Sequence, residues 1–169
     1  MQTKNNLIKL INNNKLLFND FIFRCSIGKN GVTSKKIEGD KKTPRGSFKI
    51  GSLYYRADRE KKLFTKLKKK IINKKMVWCN DITNHKNYNK LVSKDKSFKY
   101  ETLYRKDYKY NFLIPILYNT KKRILNKGSA IFLHLTKNYK PTAGCIAIKR
   151  KDFLVLLKLI DKKTIIKIF

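Results

Sequence analysis

The chain has 169 residues, 41% of them hydrophobic, so it is long enough to bury a sizeable core in one domain spanning residues 1–169. Its 42 Lys and Arg residues against 11 Asp and Glu give a formal net charge of +31, spread along the chain rather than gathered in a tail. Three cysteines exclude a disulfide framework, and no run approaches the ~20 apolar residues of a membrane span. With only two histidines and no metal-ligand spacing, we expect no metal and no other cofactor.

The excess of lysine has two interpretations. Lys, Asn and Ile share AT-rich codons, so the excess reflects the base composition of the genome. Alternatively, the charge attracts an anionic partner, such as nucleic acid, an acidic membrane face or a carboxylate-rich peptide. Because the sequence has no helix-turn-helix, zinc-finger or single-strand-binding aromatic motif, we expect no specific nucleic-acid partner.

The N-terminal residues do not have the shape of a signal peptide. No apolar h-region follows Met1, and Lys9 interrupts the short apolar run Leu7–Ile11. We therefore expect a cytoplasmic protein, or a periplasmic one if an export signal has been trimmed from the sequence.

Strand patterns dominate the first part of the chain. Leu7–Ile11 and Lys15–Phe18 flank three asparagines, a residue that tolerates the positive φ of a hairpin turn, so they predict a β-hairpin. Phe21–Ile27 alternates as a third strand, with Cys25 on its core face. Ser47–Ile50 resumes a strand after a polar turn.

The middle of the chain is less regular. Glu60–Lys75 is either a short amphipathic helix or an irregular insert, and Asp81–Lys99 reads as a polar loop. Phe112–Tyr118 is apolar, but Pro115 restricts it to an edge strand or a bulged strand, since proline cannot donate to a ladder.

The segment Ser129–Arg150 reads as a strand, a polar loop and a second strand. His134 lies near the end of the first strand, and Cys145 opens the second. The loop Thr136–Gly144 contains a proline and ends in a glycine immediately before the thiol.

This arrangement suits nucleophilic catalysis. A thiol attacks as its thiolate, and a neighbouring imidazole such as that of His134 can take the proton. Gly144 allows the backbone to pass close to a substrate, so that the amides of Ala143, Gly144 and Cys145 stabilise an oxyanion. The alternative is a core histidine beside a buried, inert cysteine.

The C-terminal part predicts a helix followed by a strand. In Asp152–Asp161 the apolar residues fall at i, i+3, i+4 and i+7, which is typical of an amphipathic helix packed on a core. Thr164–Phe169 then reads as a last strand. The predicted fold is mainly β, with one clear C-terminal helix and short additional helical segments.

These motifs resemble those of the L,D-transpeptidase catalytic-domain (YkuD) family. His134, followed by Thr142, Gly144 and Cys145, is similar to the family's histidine, loop and Ser/Thr-x-Gly-Cys signature. Upstream, Gly39–Phe48 (GDKKTPRGSF) is similar to the family's G-D-x-x-T-P-x-G-x-F segment. Further segments resemble a short, single-domain subgroup without a signal peptide: Tyr55–Arg59, Trp78–Asp81 and Gly128–His134.

Two positions depart from the family pattern. The chain has Thr-Ala-Gly-Cys where most members have Ser-His-Gly-Cys, so Ala143 offers only its backbone. Ala147 stands where an Arg or Asn often follows the cysteine, and Arg150 is a candidate to replace it.

The resemblance implies a YkuD-like β-sandwich of mixed sheets and a cysteine acyl-transfer reaction. Cys145 would attack a peptidoglycan tetrapeptide or muropeptide at the bond between the diamino acid and D-Ala. His134 would serve as base, oriented by the backbone carbonyl of Leu135. The outcome is either an L,D cross-link or trimming by a cytoplasmic L,D-carboxypeptidase in murein recycling.

Substrate carboxylates would need cationic or hydrogen-bonding partners. The residues expected to bind substrate are Thr142, Arg150, Arg56, Arg59, Tyr55 and Trp78. For Arg56 and Arg59 the alternative is a salt bridge with Asp58. For the whole chain, the alternative function is a basic nucleic-acid or anionic-surface binder on an inactive enzyme fold.

Overall fold

The structure is a computed structural model that describes residues 6–169. Within this range the chain forms fifteen β-strands and one α-helix. The strands are β1 (Leu7–Ile11), β2 (Lys15–Phe18), β3 (Phe21–Ser26), β4 (Val32–Thr33), β5 (Thr43–Pro44), β6 (Gly46–Lys49), β7 (Leu53–Tyr55), β8 (Lys69–Ile71), β9 (Met76–Cys79), β10 (Leu91–Ser93), β11 (Tyr100–Thr102), β12 (Phe112–Pro115), β13 (Phe132–Leu135), β14 (Ile146–Ile148) and β15 (Ile165–Ile168). The helix, α1, spans Arg150–Leu159.

Ten strands form one mixed sheet in the order β6-β15-β1-β2-β3-β14-β13-β12-β7-β8. Most neighbours are antiparallel, but β1 with β15, β13 with β14, and β7 with β8 are parallel. A three-stranded sheet, β10-β9-β11, and the short pair β4-β5 complete the strands. The prediction of a mainly β fold built from mixed sheets is confirmed.

The large sheet curls back on itself. Ile50, which follows the edge strand β6, bridges Ile116, which follows β12 far along the same sheet. The Gly51 N–H also donates to the Pro115 carbonyl at 2.8 Å. The curl gives the sheet a concave side, and this side holds the main apolar cluster.

The prediction of an edge strand for Phe112–Tyr118 was wrong, whereas the bulged alternative agrees with a one-residue shift between the β7 ladder and the Ile50–Ile116 bridge. β12 lies inside the sheet, between β7 and β13. Its ladder with β7 covers only Phe112 and Leu113. The Pro115 carbonyl accepts the Gly51 N–H, so the nitrogen of Pro115 faces the same side of the strand. That side lies beyond the end of β7, where the sheet needs no N–H donor from Pro115.

The predicted C-terminal helix and last strand are confirmed. The helix begins at Arg150, two positions earlier than predicted, and its buried face is Phe153, Leu156 and Leu157. Phe153 stacks on Phe112 of the sheet at 5.3 Å between ring centroids. No second helix occurs in residues 6–169, so the short additional helical segments were not found.

The ambiguous middle segments are now assigned. Glu60–Lys75 is irregular apart from the short strand β8, so the helical alternative is wrong. Its leucines still pack on the core, since Leu67 is buried. Asp81–Lys99 consists mainly of turns but contains β10, which the sequence did not predict. The N-terminal hairpin is confirmed, with Asn12 and Asn13 at positive φ.

Gly28 joins the end of β3 to the loop before Cys145, and it forms a bridge with Thr142. A Cβ at Gly28 would lie 2.5 Å from the Lys41 carbonyl oxygen, which is backbone and cannot move aside cheaply.

We therefore expect Gly28→Ala to lower the free energy of unfolding by about 2–3 kcal/mol, the cost of overpacking. Gly51→Ala is the matched control, because its Cβ would contact Pro115 at an ordinary 3.4 Å. Urea denaturation of both variants measures the difference. Equal stabilities would contradict the close approach at Gly28.

Candidate active site

The strands β13 and β14 bring His134 and Cys145 to one side of the sheet. They are adjacent and parallel, and His134 is the register partner of Ala147. Cys145 lies two residues before Ala147, so it shares that face and sits diagonally from His134, a position about 7–8 Å away on neighbouring strands. Both residues line one cleft of about 410 Å³. The tertiary structure thus joins the two groups that the motif separates.

Cys145 is held by two backbone groups. Its Sγ accepts the Phe132 N–H at 3.3 Å, and the thiol donates to the Ala130 carbonyl at 3.2 Å. The residue is 8% exposed. Burial raises the pKa of the thiol, and the Glu101 carboxylate raises it further. At neutral pH the resting group is therefore a thiol.

His134 is positioned as a neutral base. Its Nδ1 lies 2.9 Å from the Leu135 carbonyl oxygen, which only accepts hydrogen bonds, so Nδ1 carries the proton. Nε2 is then left with a lone pair. Burial lowers the pKa of His134 to about 4, which keeps the imidazole neutral at pH 7. The ring of Tyr110 packs edge-on against the imidazole at 5.2 Å.

Thr43 of the T-P-x-G segment anchors the backbone next to the cysteine. Its side chain is fully buried, and Oγ1 donates to the Gly144 carbonyl while accepting the Gly28 N–H, both at 2.9 Å. Gly144 has φ of +139°, and a Cβ there would lie 2.9 Å from the Lys42 carbonyl. The segment therefore fixes the glycine that precedes the nucleophile.

Asp40 orders the same loop from the other side. Its carboxylate accepts the N–H groups of Ile37 and Lys42 and pairs with the buried Lys36 ammonium. The G-D part of the motif thus shapes the loop that carries Glu38 to the cleft.

The expected oxyanion donors need one correction. The Gly144 N–H donates to Thr142 Oγ1 at 3.1 Å, and Thr142 Oγ1 donates to the Cys145 carbonyl at 2.6 Å. The Gly144 amide and the Thr142 hydroxyl are therefore used inside the turn. The N–H groups of Ala143 and Cys145 make no hydrogen bond to residues 6–169, and both residues line the cleft.

The three arginines expected to bind substrate do not line the cleft. Arg56 pairs with Asp58 at 2.6 Å, which is the alternative that the sequence left open. Arg150 pairs with Glu60 at 2.6 Å. Arg59 donates to backbone carbonyls of a neighbouring loop. Carboxylates and carbonyls of the same chain accept the hydrogen bonds of these guanidinium groups, so the groups stabilise the fold.

Tyr55 and Trp78 also lie outside the cleft lining. Tyr55 belongs to β7, where it pairs with Phe112. Trp78 is buried and packs edge-on against Phe132, at 5.1 Å between ring centroids. Trp78 therefore packs against β13, the strand that carries His134.

Asn89 is a buried residue that sequence reasoning missed. Its Oδ1 accepts the Trp78 indole N–H at 2.8 Å and the Ala130 N–H at 3.1 Å. Ala130 has φ of +51°, a conformation that is uncommon for alanine. Asn89 thereby fixes the carbonyl to which the Cys145 thiol donates. Its position in a polar loop gave no signal, because the contact spans 41 residues.

Charged residues of both signs line the cleft. The basic ones are Arg105, Lys109, Lys137 and Lys140, and the acidic ones are Glu38 and Glu101. The one sequence signal that could have indicated a role for Glu38 and Glu101 in the cleft was the rarity of glutamate, since the chain contains only three.

Comparison with known proteins agrees with this geometry. The model of the YkuD family, described as the L,D-transpeptidase catalytic domain, matches residues 2–168. The chain belongs to this family. No curated protein and no solved structure matches it.

Membership of the YkuD family implies a peptidoglycan-type substrate. Among residues 6–169, no group of three or more His, Cys, Asp or Glu side chains could hold a metal ion. The described part of the chain also has no helix long and apolar enough to cross a membrane.

Thr43→Val keeps the shape of the side chain but removes both of its hydrogen bonds. It leaves the Gly28 N–H and the Gly144 carbonyl without their partner, so we expect a loss of about 2–4 kcal/mol in the free energy of unfolding. Thr120→Val is the control, since the Thr120 hydroxyl makes no hydrogen bond to the described residues. Thermal or urea unfolding measures both, and equal losses would contradict the anchoring role of Thr43.

The buried His134 also predicts a pH dependence of stability. Its pKa is about 4 in the fold and near 6.5 in the unfolded chain, so the unfolded chain binds more protons between these values. The contribution of His134 to the free energy of unfolding is fully present above pH 6.5. It falls as the pH drops towards 4, and about 2 kcal/mol is lost at pH 5.

His134→Gln should remove this dependence, whereas His85→Gln, at the exposed second histidine, should keep it. Urea midpoints at pH 7.5, 6 and 5 test this. If the urea midpoint of His134→Gln falls with pH as steeply as that of the wild type, other groups cause the dependence.

Proposed function

We propose that this member of the YkuD family is a cysteine acyl-transfer enzyme that acts on peptidoglycan stem peptides. The observation that carries the proposal is that Cys145 and His134 face the same cleft, with His134 neutral and its Nε2 unprotonated. The bond attacked is that between the diamino acid and the terminal D-Ala.

In the first half-reaction, Sγ of Cys145 bonds to the carbonyl carbon of the diamino acid. Because burial disfavours a free thiolate, the proton passes to Nε2 of His134 as the S–C bond forms. The amides of Ala143 and Cys145 are placed to stabilise the oxyanion. The imidazolium then protonates the D-Ala nitrogen, the C–N bond breaks, and a thioester on Cys145 remains.

In the second half-reaction, the thioester meets an amine or water, and His134 takes the proton of the incoming group. An amine gives an L,D cross-link and restores the thiol. Water gives a tripeptide, which is the L,D-carboxypeptidase outcome of murein recycling. Both outcomes use the same residues, so the acceptor decides between them.

Lysines of the cleft provide the counter-charge for the D-Ala carboxylate. Lys109, Lys137 and Lys140 line the cleft on the segments nearest His134, and none of them forms a salt bridge within residues 6–169. These lysines replace Arg56, Arg59 and Arg150 as the proposed carboxylate-binding groups.

Mutation of the two proposed catalytic residues tests the reaction. We expect Cys145→Ala to abolish D-Ala release from a tetrapeptide muropeptide, because no nucleophile remains. His134→Gln should lower kcat about 100-fold or more, the usual contribution of a general base. Cys79→Ala and His85→Gln are the matched controls and should stay within about twofold. Retained turnover in Cys145→Ala would refute the proposal.

Two further measurements separate the outcomes. With a free D-amino acid added, an exchange product identifies a transferase, whereas tripeptide alone identifies a hydrolase. Intact-protein mass after incubation with a carbapenem should show one adduct in the wild type and none in Cys145→Ala.

A further inference from the structure

Two of the three glutamates line the cleft without a cationic partner. Glu60, the third, forms a salt bridge, but Glu38 and Glu101 form none within residues 6–169, although the chain has 42 basic residues. Each is held instead by a buried phenol. Tyr110 donates to Glu101, and Tyr88 donates to Glu38 at 2.6 Å. These contacts fix the two carboxylates in place without a salt bridge, although the charges of Arg105 and Lys109 lower the pKa of Glu101 against the larger effect of burial.

Each carboxylate keeps one oxygen free of internal hydrogen bonds. The tyrosines use Oε1 of Glu101 and Oε2 of Glu38, and no other described residue donates to either side chain. Burial raises the pKa of Glu101, Tyr110 and Arg105 lower it, and the charge of Glu38 raises it by a smaller amount. A nearby like charge disfavours the ionised carboxylate, and a cation bound beside the two groups would relieve that repulsion.

Two uncharged groups in the same cleft also lack partners. Ser129 Oγ and Asn80 Oδ1 are buried atoms that make no hydrogen bond to the described residues. Ser129 is only 6% exposed, and its hydroxyl lies close enough to the Tyr88 phenol to lower the pKa of Tyr88, which burial raises. A buried polar atom without a partner costs free energy, so these atoms indicate a ligand that donates hydrogen bonds.

We propose that Glu38, Glu101, Asn80 and Ser129 form a subsite for a primary ammonium group next to Cys145. All four offer oxygen acceptors, and an ammonium group offers three N–H donors and a positive charge.

The subsite lies beside the reacting thiol. Ser129 precedes Ala130, whose carbonyl accepts the thiol of Cys145. The charge of Glu101 also acts on that thiol. An ammonium group bound here would therefore sit close to the carbonyl that Cys145 attacks.

This inference rests on the proposed function for the identity of the ligand. In that reaction a primary amine occurs in two places, on the side chain of the diamino acid of the donor peptide and on the incoming acceptor. The lysines of the same cleft would take the carboxylate, so the cleft is complementary to a ligand that carries both charges.

Binding to the Cys145→Ala variant tests the subsite without turnover. The probes are a tetrapeptide with lysine as its third residue and the same peptide with that lysine Nε-acetylated, measured by calorimetry. We expect acetylation to weaken binding about tenfold, the usual effect of losing a charge-assisted hydrogen bond. Glu101→Gln and Glu38→Gln, each in this background, should weaken only the free-amine peptide and remove the difference.

Asp20→Asn is the matched control, because it removes one negative charge at an exposed position. It should leave the tenfold difference unchanged. Thermal unfolding of each variant shows that it is folded, and the two glutamate variants give independent readings.

The acceptor is tested in the wild type by exchange with free D-methionine. If the subsite binds the acceptor, Glu101→Gln should raise the KM for D-methionine about tenfold without changing the donor difference. The proposal is overturned if neither the donor binding nor the acceptor KM depends on the glutamates. If the enzyme releases no D-Ala but still binds the free-amine peptide more tightly than the acetylated one, only the reaction proposed above is overturned.

Discussion

The site depends on one buried hydrogen bond, from Thr43 Oγ1 to the Gly144 carbonyl. The same hydroxyl accepts the Gly28 N–H, so one side chain ties the T-P-x-G segment, the end of β3 and the turn before Cys145 together. Glycine is required at both neighbouring positions, because a Cβ would meet a backbone carbonyl at 2.9 Å or less. Two motifs that lie 101 residues apart therefore form one structural unit.

The electrostatics of the site follow from burial rather than from the net charge of +31. Burial raises the pKa of the Cys145 thiol and lowers that of His134, so the resting pair is neutral. Charge appears only when a substrate carbonyl accepts the sulfur. The cleft adds charges of both signs, from lysines and from two tyrosine-bound glutamates. This mixed lining is the basis for the proposal of a zwitterionic peptide ligand.

The arginines show why residue type alone predicted the cleft poorly. Arg56 and Arg150 suit a substrate carboxylate in chemistry, but Asp58 and Glu60 of the same chain satisfy them first. The phenols of Tyr88 and Tyr110, by contrast, hold two glutamates that no cation of the described chain pairs with. These internal pairings decide which charged groups remain available to a ligand. No spacing rule along the chain reveals them.

The sequence by itself determined the family, the mainly β fold, the C-terminal helix and the cysteine–histidine motif. The fold class and the helix follow from local patterns, namely alternation along strands and helical periodicity, whereas the family follows from the resemblance of the motifs around His134, Cys145 and Gly39–Phe48. Only the tertiary structure decided that β12 is internal, that the Gly144 amide is used within its own turn, and that Asn89, Glu38 and Glu101 belong to the site. Each of these depends on contacts between residues distant in the sequence, such as the 41 residues between Asn89 and Ala130. Long-range partners leave no periodicity in the chain, so only the folded structure reveals them.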